Sequence, residues 1–247
     1  VTRRHPFPAG QNRIIDSMAA GWDKPQEDDF AMCNLGMPSF YESIAFPDRP
    51  DRWWRLLDGE NLSQPAQDKW KRTFLRFLKQ VTRLRPGRMI LKSPLHTCRV
   101  RTILELFPDA VFINVVRNPF EVYPSTVHLW KTLVRLQTLQ TTRMAGLADR
   151  IFDAYLVMHD KLEASRALVA PDRFLDIRFE SLVADPAGEL RALYAALGLG
   201  DFDLVRPEVA KEVAARSGYR RNAYELDDGT RKLVARRWER IAERYGY

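Results

Sequence analysis

One short segment constrains the possible folds of this chain most, an apolar run that leads at once into a helix start. Residues 110–116, AVFINVV, are almost continuously apolar and rich in β-branched side chains. This pattern is typical of a strand that is covered on both faces of a parallel sheet. Asn118 can cap a following helix, and Pro119 suits its first turn. We therefore predict a buried strand that ends directly at a helix reaching to about residue 139.

The same alternation of strand and helix signals continues along the chain. Short apolar runs predict two further strands, at residues 88–92 and 173–179. Helical spacing of apolar residues predicts helices at 67–84, 97–107, 147–169 and 186–197, and one at the C-terminus. Strands alternating with helices predict an α/β fold in three layers, in which helices flank a parallel sheet. In such sheets, ligands bind beyond the carboxyl ends of the strands.

Composition indicates a folded globular protein and not a disordered chain. The chain has 247 residues, of which 45% are hydrophobic, so it is globular and long enough for a substantial core. Its 39 lysines and arginines exceed its 32 acids, an excess that favours an anionic ligand. Two separate cysteines, Cys33 and Cys98, predict free thiols and a cytoplasmic location. The four histidines are scattered and predict no metal site.

The end of the strand at 88–92 carries the first candidate site, in the sequence Lys92-Ser93-Pro94-Leu95-His96. A cation there can neutralise a leaving phosphate, and a histidine can accept a proton from an acceptor hydroxyl. The alternative is an ordinary surface lysine with a histidine that merely starts a helix.

The end of the strand at 110–116 carries the second candidate site. Arg117 ends that strand, and Ser125 lies two turns into the helix that follows. A helix N-terminus favours an anion, and an arginine side chain matches a phosphate with two hydrogen bonds. The alternative is an arginine paired with a nearby acid and a serine packed within the helix.

Taken together, the segments RMILKSPLH and VFINVVRNPFEVYPS, with FPDA between them, resemble the sulfotransferase family that uses 3′-phosphoadenosine 5′-phosphosulfate (PAPS). The KSPxH turn is typical of its bacterial and fungal-type branch. The resemblance implies a fold like that of P-loop NTPases, without a metal. It also implies transfer of a sulfuryl group from PAPS to a hydroxyl or amine of a small-molecule or glycan acceptor, with no nucleic-acid partner.

The resemblance also implies roles for individual residues. Arg117 and Ser125 would hold the 3′-phosphate of the nucleotide, and Phe179 would lie where many members have a tyrosine that contacts adenine. A basic loop of three residues would return to the nucleotide: Tyr219, Arg220 and Arg221. Among the catalytic residues, Lys92 would stabilise the leaving phosphate.

The base is left open between two regions of the chain. His96 would take the acceptor's proton, but Glu27 and Asp28 in the PQEDDF segment are rivals, because a carboxylate serves as the base in other branches. Their default interpretation is a solvated loop.

The phosphosulfate-binding loop of the family, a PRSGTT-like turn after the first strand, is not found in residues 1–247. We therefore expect a single sulfotransferase-like domain that is incomplete at its N-terminus, lacks its first strand, and transfers sulfate poorly by itself. Within it, residues 1–66 would form an irregular segment on the substrate side, and residues 67–247 the nucleotide-binding part. No segment here is apolar enough to span a membrane, although an anchor before residue 1 stays open.

Two other functions remain possible from the residues alone. One is a P-loop kinase-like, nucleotide-dependent transferase of similar architecture, for which Arg117 with Ser125 would have no evident use. The other is a non-catalytic basic module that binds polyanions, which would require an exposed row of basic side chains. Oligomeric state and acceptor are open.

Overall fold

The computed structural model describes residues 26–49, 55–216 and 222–247. Its elements are α1 (Asp28–Asn34), α2 (Glu42–Ala45), α3 (Gln64–Leu84), α4 (Val100–Leu106), β1 (Phe112–Val116), α5 (Pro119–Gln137), α6 (Leu147–Arg166), β2 (Phe174–Arg178), α7 (Phe179–Ala184), α8 (Pro186–Ala196), α9 (Arg206–Ala215) and α10 (Asp228–Tyr245), with 3-10 turns at Pro94–Cys98, Pro171–Arg173 and Phe202–Leu204.

The described residues fall into two compact units. We call the described residues of 26–108 and 127–165 the helical unit, and the described residues of 109–126 and 166–247 the sheet unit. The prediction of a single domain divided after residue 66 stays a prediction.

Helix α3 organises the core of the helical unit. Its apolar residues recur every four positions, and Trp70, Phe74 and Leu78 are buried on one face. They pack in one cluster with Met32 of α1 and with Met37. The helix ends as predicted, just before the Pro86-Gly87 pair. Through Met32, α1 packs against this long helix.

The sheet unit contains a parallel pair of strands. Strands β1 and β2 pair in register from Phe112 opposite Phe174 to Val116 opposite Arg178. Ile177 of β2 packs with Leu193 and Leu197 around α8. The predicted α/β fold with a parallel sheet is therefore confirmed, and both strands end at the same edge.

Two details of the predicted sheet are wrong. Residues 88–92 form no strand, and no described strand pairs with them. Met89 and Leu91 instead pack against the core cluster under α3. Within the described ranges, β1 is also covered on one face only, since Ile113 is 43% exposed and Val115 is 50% exposed. An apolar run favours a strand, but pairing depends on hydrogen bonds to distant residues, which a local pattern does not contain.

The start of α5 has the predicted cap. The backbone N–H of Phe120 donates to Oδ1 of Asn118 at 2.9 Å, and Pro119 is the first helical residue. Trp238 of α10 is fully buried and lies edge-on to Tyr123 of α5, with ring centroids 5.9 Å apart. These contacts fix the first turns of α5 at the edge where β1 ends.

Two further findings concern cysteines and helices. Cys33 and Cys98 are free thiols, as predicted, and Cys98 is buried. Among the described residues, no helix combines the length and apolar character needed to cross a bilayer.

Candidate functional site

Three acids at the start of α1 pair with three basic residues that follow α3, all within the helical unit. We call these six residues the acid–base cluster. Its pairs are Glu27 with Lys92, Asp28 with His96, and Asp29 with Arg99. Acids that are adjacent in the sequence thus meet bases spaced four and three residues apart.

The local sequence explains this spacing. The 3-10 turn Pro94–Cys98 begins at Ser93, whose hydroxyl accepts a hydrogen bond from the backbone N–H of Leu95 at 3.3 Å. This turn places the side chains at positions 92, 96 and 99 along one side of the chain. The three acids lie at the start of α1, and this helix is anchored by its own Met32, which is buried in the core cluster.

His96 has the geometry of an oriented base. Its Nε2 lies 3.0 Å from Oδ1 of Asp28, and both side chains are almost buried. In the neutral tautomer whose Nε2–H donates to Asp28, the lone pair of the imidazole lies on Nδ1. That Nδ1 is buried and has no hydrogen-bond partner among the described residues. Such an unpaired buried atom is costly in a fold and is typical of functional positions.

Glu27, the rival base, already has two partners. It forms an ion pair with Lys92 and accepts a hydrogen bond from the hydroxyl of Tyr41. Burial and the negative charge of Glu27 raise the pKa of Tyr41, so this hydroxyl stays a donor at neutral pH. Lys92 itself is largely exposed. Glu27 is therefore arranged to position a cation.

The third pair of the cluster is the most deeply buried. Nη1 of Arg99 lies 3.3 Å from Oδ1 of Asp29, and their side chains are 3% and 0% exposed. Burial raises the pKa of Asp29, and the neighbouring Arg99 opposes that rise. The guanidinium of Arg99 also lies over the ring of Trp70, 5.1 Å from its centroid. This pair ties α1 to α3 and makes the cluster rigid.

A second cluster lies in the sheet unit, where β1 and β2 end. Nη2 and Nε of Arg117 bond Oε2 of Glu121 at 2.7 and 3.1 Å. The guanidinium lies over the ring of Phe179, 4.7 Å from its centroid. Within the described part of the chain, Nη1 of Arg117 has no such bond and is available to an anion. Two predicted nucleotide-binding residues, Arg117 and Phe179, are thus in contact.

The sequence analysis missed Glu180 and Tyr247, which belong to this second cluster. The backbone N–H of Asn118 donates to Glu180 at 2.9 Å, and the hydroxyl of Tyr247 donates to the same carboxylate at 2.6 Å. Burial opposes the charge of Glu180, but these hydrogen bonds lower its pKa. Burial and Glu180 together raise the pKa of Tyr247 to about 12. Glu180 follows the end of β2 closely, as Arg117 follows the end of β1. This position was the signal in the sequence that could have identified Glu180.

The remaining predicted residues are placed as follows. Ser125 lies in the second turn of α5 within the sheet unit and is partly buried. Tyr219, Arg220 and Arg221 lie outside the described residues.

A small cavity lies beside the acid–base cluster, at Arg99. This cavity of about 30 Å³ between Asp58, Trp70 and Arg99 in the helical unit has room for about one water. Residues 26–49, 55–216 and 222–247 contain no group of three or more metal-ligating side chains.

Comparison with known families identifies the class of protein. The model of the Sulfotransferase family, Sulfotransfer_3, matches residues 3–203. The chain belongs to the sulfotransferase family, as its motifs predicted. A solved structure, sulfotransferase STF9 from Mycobacterium avium, has the same fold, with a TM-score of 0.69 and 23% identity over 89% of this chain and 55% of that one.

Two curated relatives are more similar in sequence. Both are named omega-hydroxy-beta-dihydromenaquinone-9 sulfotransferase Stf3, one from Mycobacterium bovis and one from Mycobacterium tuberculosis. Each is 42% identical to this chain over 241 residues, which cover 98% of the chain. The chain spans 62% of the length of these relatives.

Proposed function

We propose that this chain transfers a sulfuryl group from PAPS to the hydroxyl of a lipid acceptor. The observation that carries the proposal is the acid–base cluster, in which Lys92 and His96 are each oriented by a carboxylate. A cation and an oriented neutral histidine are the two groups that such a transfer needs. Family membership and the named activity of the relatives support the same chemistry.

In this proposal the sheet unit binds the nucleotide. Arg117 would donate from Nη1 to the 3′-phosphate, while Glu121 and Phe179 hold its guanidinium in place. The hydroxyl of Ser125 would add a second donor. An arginine fixed by a carboxylate and a ring loses little freedom when it binds a phosphate. In this proposal the 3′-phosphate distinguishes the bound nucleotide from ATP and ADP, which lack that group.

The base in this proposal is His96. As the acceptor oxygen forms a bond to sulfur, its proton would pass to Nδ1 of His96, which becomes cationic. Asp28 would stabilise that cation through Nε2, as a carboxylate does for a histidine in hydrolytic triads. Asp28 acts here as a positioning residue, since it would touch only His96.

Lys92 would act on the leaving group. When the bond between sulfur and the bridging oxygen breaks, its electron pair stays on that oxygen, which belongs to the phosphate of the product nucleotide. A cation near this oxygen stabilises the developing charge. Glu27 and the hydroxyl of Tyr41 would position the flexible Lys92 side chain before the nucleotide binds.

The acceptor class is taken from the relatives, whose name specifies an omega-hydroxylated dihydromenaquinone. We propose a hydroxyl at the end of an isoprenoid chain as the acceptor of this chain as well. Such a primary alcohol keeps its proton at neutral pH and is a weak nucleophile, so a general base is needed to remove the proton during transfer.

The test uses PAPS with a radioactive sulfur atom. The chain is incubated with an omega-hydroxylated menaquinone or with the same quinone without the hydroxyl, and lipid products are separated by thin-layer chromatography. We expect slow labelling of the hydroxylated quinone alone, because residues 1–247 contain no recognisable phosphosulfate-binding loop. His96→Ala should give about a hundredfold less label or lower still. Equal label on both quinones would refute the acceptor, and unchanged transfer by His96→Ala would refute the base.

A further inference from the structure

Positive charge is concentrated in one stretch of this chain. Residues 69–104 contain eleven lysines and arginines and no aspartate or glutamate. The whole chain carries a net charge of only +7, so the remaining residues are net acidic. All of this stretch lies in the helical unit. An asymmetry of this size points to a polyanionic partner.

Helix α3 presents much of this charge on one side. Its apolar face is buried in the core of the helical unit. Its exposed face carries basic residues spaced four, three and four positions apart, which is the spacing of neighbours on one helix surface. They are Arg72, Arg76, Lys79 and Arg83. None of these four forms an ion pair with a described residue, so their charge is not locally neutralised.

Two large apolar side chains stand beside this charge at the end of α3. Leu84 is 82% exposed and Ile90 is 90% exposed. Between them lie Arg85 and Arg88, which are also exposed. We call α3's basic face together with residues 84–90 the basic–apolar surface. Basic and apolar side chains therefore stand next to one another on this segment.

We propose that the basic–apolar surface docks on an anionic phospholipid bilayer. The headgroups of such a bilayer attract lysine and arginine, and its interface accepts leucine and isoleucine side chains. A single-stranded nucleic acid fits less well, because it needs exposed aromatic rings for stacking. Of the aromatic residues of α3, Trp70 and Phe74 are buried, and Phe77 is partly buried against the core. Apolar side chains would also gain nothing from a phosphate backbone.

This inference rests on charge and exposure and does not depend on the proposed sulfuryl transfer. The docking experiment needs neither nucleotide nor turnover. A chain that transfers no sulfate can still bind vesicles, and an active chain can fail to bind them. If both hold, the surface would bring the enzyme to the bilayer in which an isoprenoid acceptor resides.

The experiment is cosedimentation of the chain with unilamellar vesicles at low and physiological salt. One set of vesicles contains phosphatidylcholine alone, and the other contains equal parts of phosphatidylcholine and phosphatidylglycerol. We expect binding to the second set only, weakening as salt rises. Replacing Arg76, Lys79 and Arg83 by glutamine should weaken it about a hundredfold, because each basic residue contributes about fivefold. The double variant L84S/I90S should weaken it by about tenfold or more.

The matched control removes three exposed charges from another amphipathic helix. Lys232, Arg236 and Arg240 lie on α10 in the sheet unit, near acidic neighbours, and are replaced by glutamine in the same way. Circular dichroism checks that each variant is folded. Loss of binding in the α3 variant alone supports the surface. Equal weakening in both variants would overturn it, because net charge would then suffice. Binding to a DNA duplex that depends on the same α3 residues, without binding to vesicles, would overturn it in favour of nucleic acid.

Discussion

Replacing Arg99 by methionine should destabilise the chain strongly, although Arg99 contacts no substrate in the proposed mechanism. Its guanidinium is nearly inaccessible and is the charged partner of Asp29, which is fully buried. Without Arg99, the carboxylate of Asp29 would stay in the core with no cation beside it. Methionine fills a similar volume, so the change tests charge more than packing.

The magnitude follows from the burial of the pair. Breaking a buried ion pair by removing one partner costs about 3–5 kcal/mol. The contact of Arg99 with the ring of Trp70, at 5.1 Å, adds about 1 kcal/mol to what is lost. Protonation of Asp29 limits the total, because the neutral acid needs no cation. We therefore expect a loss of about 3–5 kcal/mol in the free energy of unfolding at pH 7.

The same reasoning fixes how the loss depends on pH. Burial already raises the pKa of Asp29 above its ordinary value, and removing Arg99 raises it further. A carboxyl whose folded pKa is raised destabilises the fold above its unfolded pKa, because the unfolded chain releases the proton more readily. The difference between wild type and Arg99→Met should therefore shrink as pH falls toward the ordinary carboxyl range.

Urea denaturation followed by circular dichroism at several pH values measures these differences. The control is the double variant R99M/D29L, which replaces the pair by apolar residues and should recover most of the stability. A loss below about 1 kcal/mol for Arg99→Met at neutral pH would refute the reasoning. A loss that is the same at every pH would show that packing, and not the charge of Asp29, is responsible.

Three further predictions concern the two clusters and the buried Cys98. In steady-state transfer assays, His96→Ala should lower kcat by about a hundredfold to ten-thousandfold, whereas Glu27→Gln should keep most of it; the reverse order would make Glu27 the base. Tyr247→Phe should lower stability by about 1 kcal/mol at pH 7, because it removes a donor that lowers the pKa of Glu180. That loss should vanish at acid pH, where Glu180 is protonated. Urea denaturation at pH 7 and at acid pH would show the difference. Burial raises the pKa of Cys98 to about 12, so mass spectrometry should find it unlabelled by a thiol reagent in the folded chain.

The sequence predicted those parts of the fold that depend on local patterns. The extent of α3 followed from apolar spacing and from the Pro86-Gly87 stop, and the start of α5 followed from Asn118 and Pro119. Strands β1 and β2 were found because their apolar runs are bounded by turns. Residues 88–92 show the same signal, but a strand also needs a hydrogen-bonded neighbour, and that requirement is not local.

The candidate site was predictable in its residue types but not in its pairings. His96 and Lys92 were identified from one turn, and Glu27 and Asp28 from one acidic segment. The pairing of each base with one acid joins positions 65 and 68 residues apart, which spacing within a segment cannot reveal. The Asp29–Arg99 pair was not predicted, because Arg99 lies outside the KSPxH turn and its contact with Asp29 of the PQEDDF segment joins positions 70 residues apart.

The distribution of charge was also underestimated from the sequence. Counting basic residues over the whole chain gives an excess of only 39 over 32 acids. The acid-free stretch at 69–104 becomes evident only when charge is counted in windows. Exposure was needed as well, because the same residues could have been neutralised by pairing.

The central claim is that Arg117 recognises a 3′-phosphate, and titration calorimetry tests it most directly. The chain is titrated with 3′-phosphoadenosine 5′-phosphate and with adenosine 5′-phosphate, which differ only in that group. The control variant is Arg191→Ala, because Arg191 also pairs with a carboxylate, Asp203, and lies over a phenyl ring in the same unit. We predict that wild type and Arg191→Ala prefer the 3′-phosphorylated nucleotide, and that Arg117→Ala loses about tenfold or more of that preference. Equal affinity of the wild-type chain for both nucleotides, or an unchanged preference in Arg117→Ala, would contradict the account.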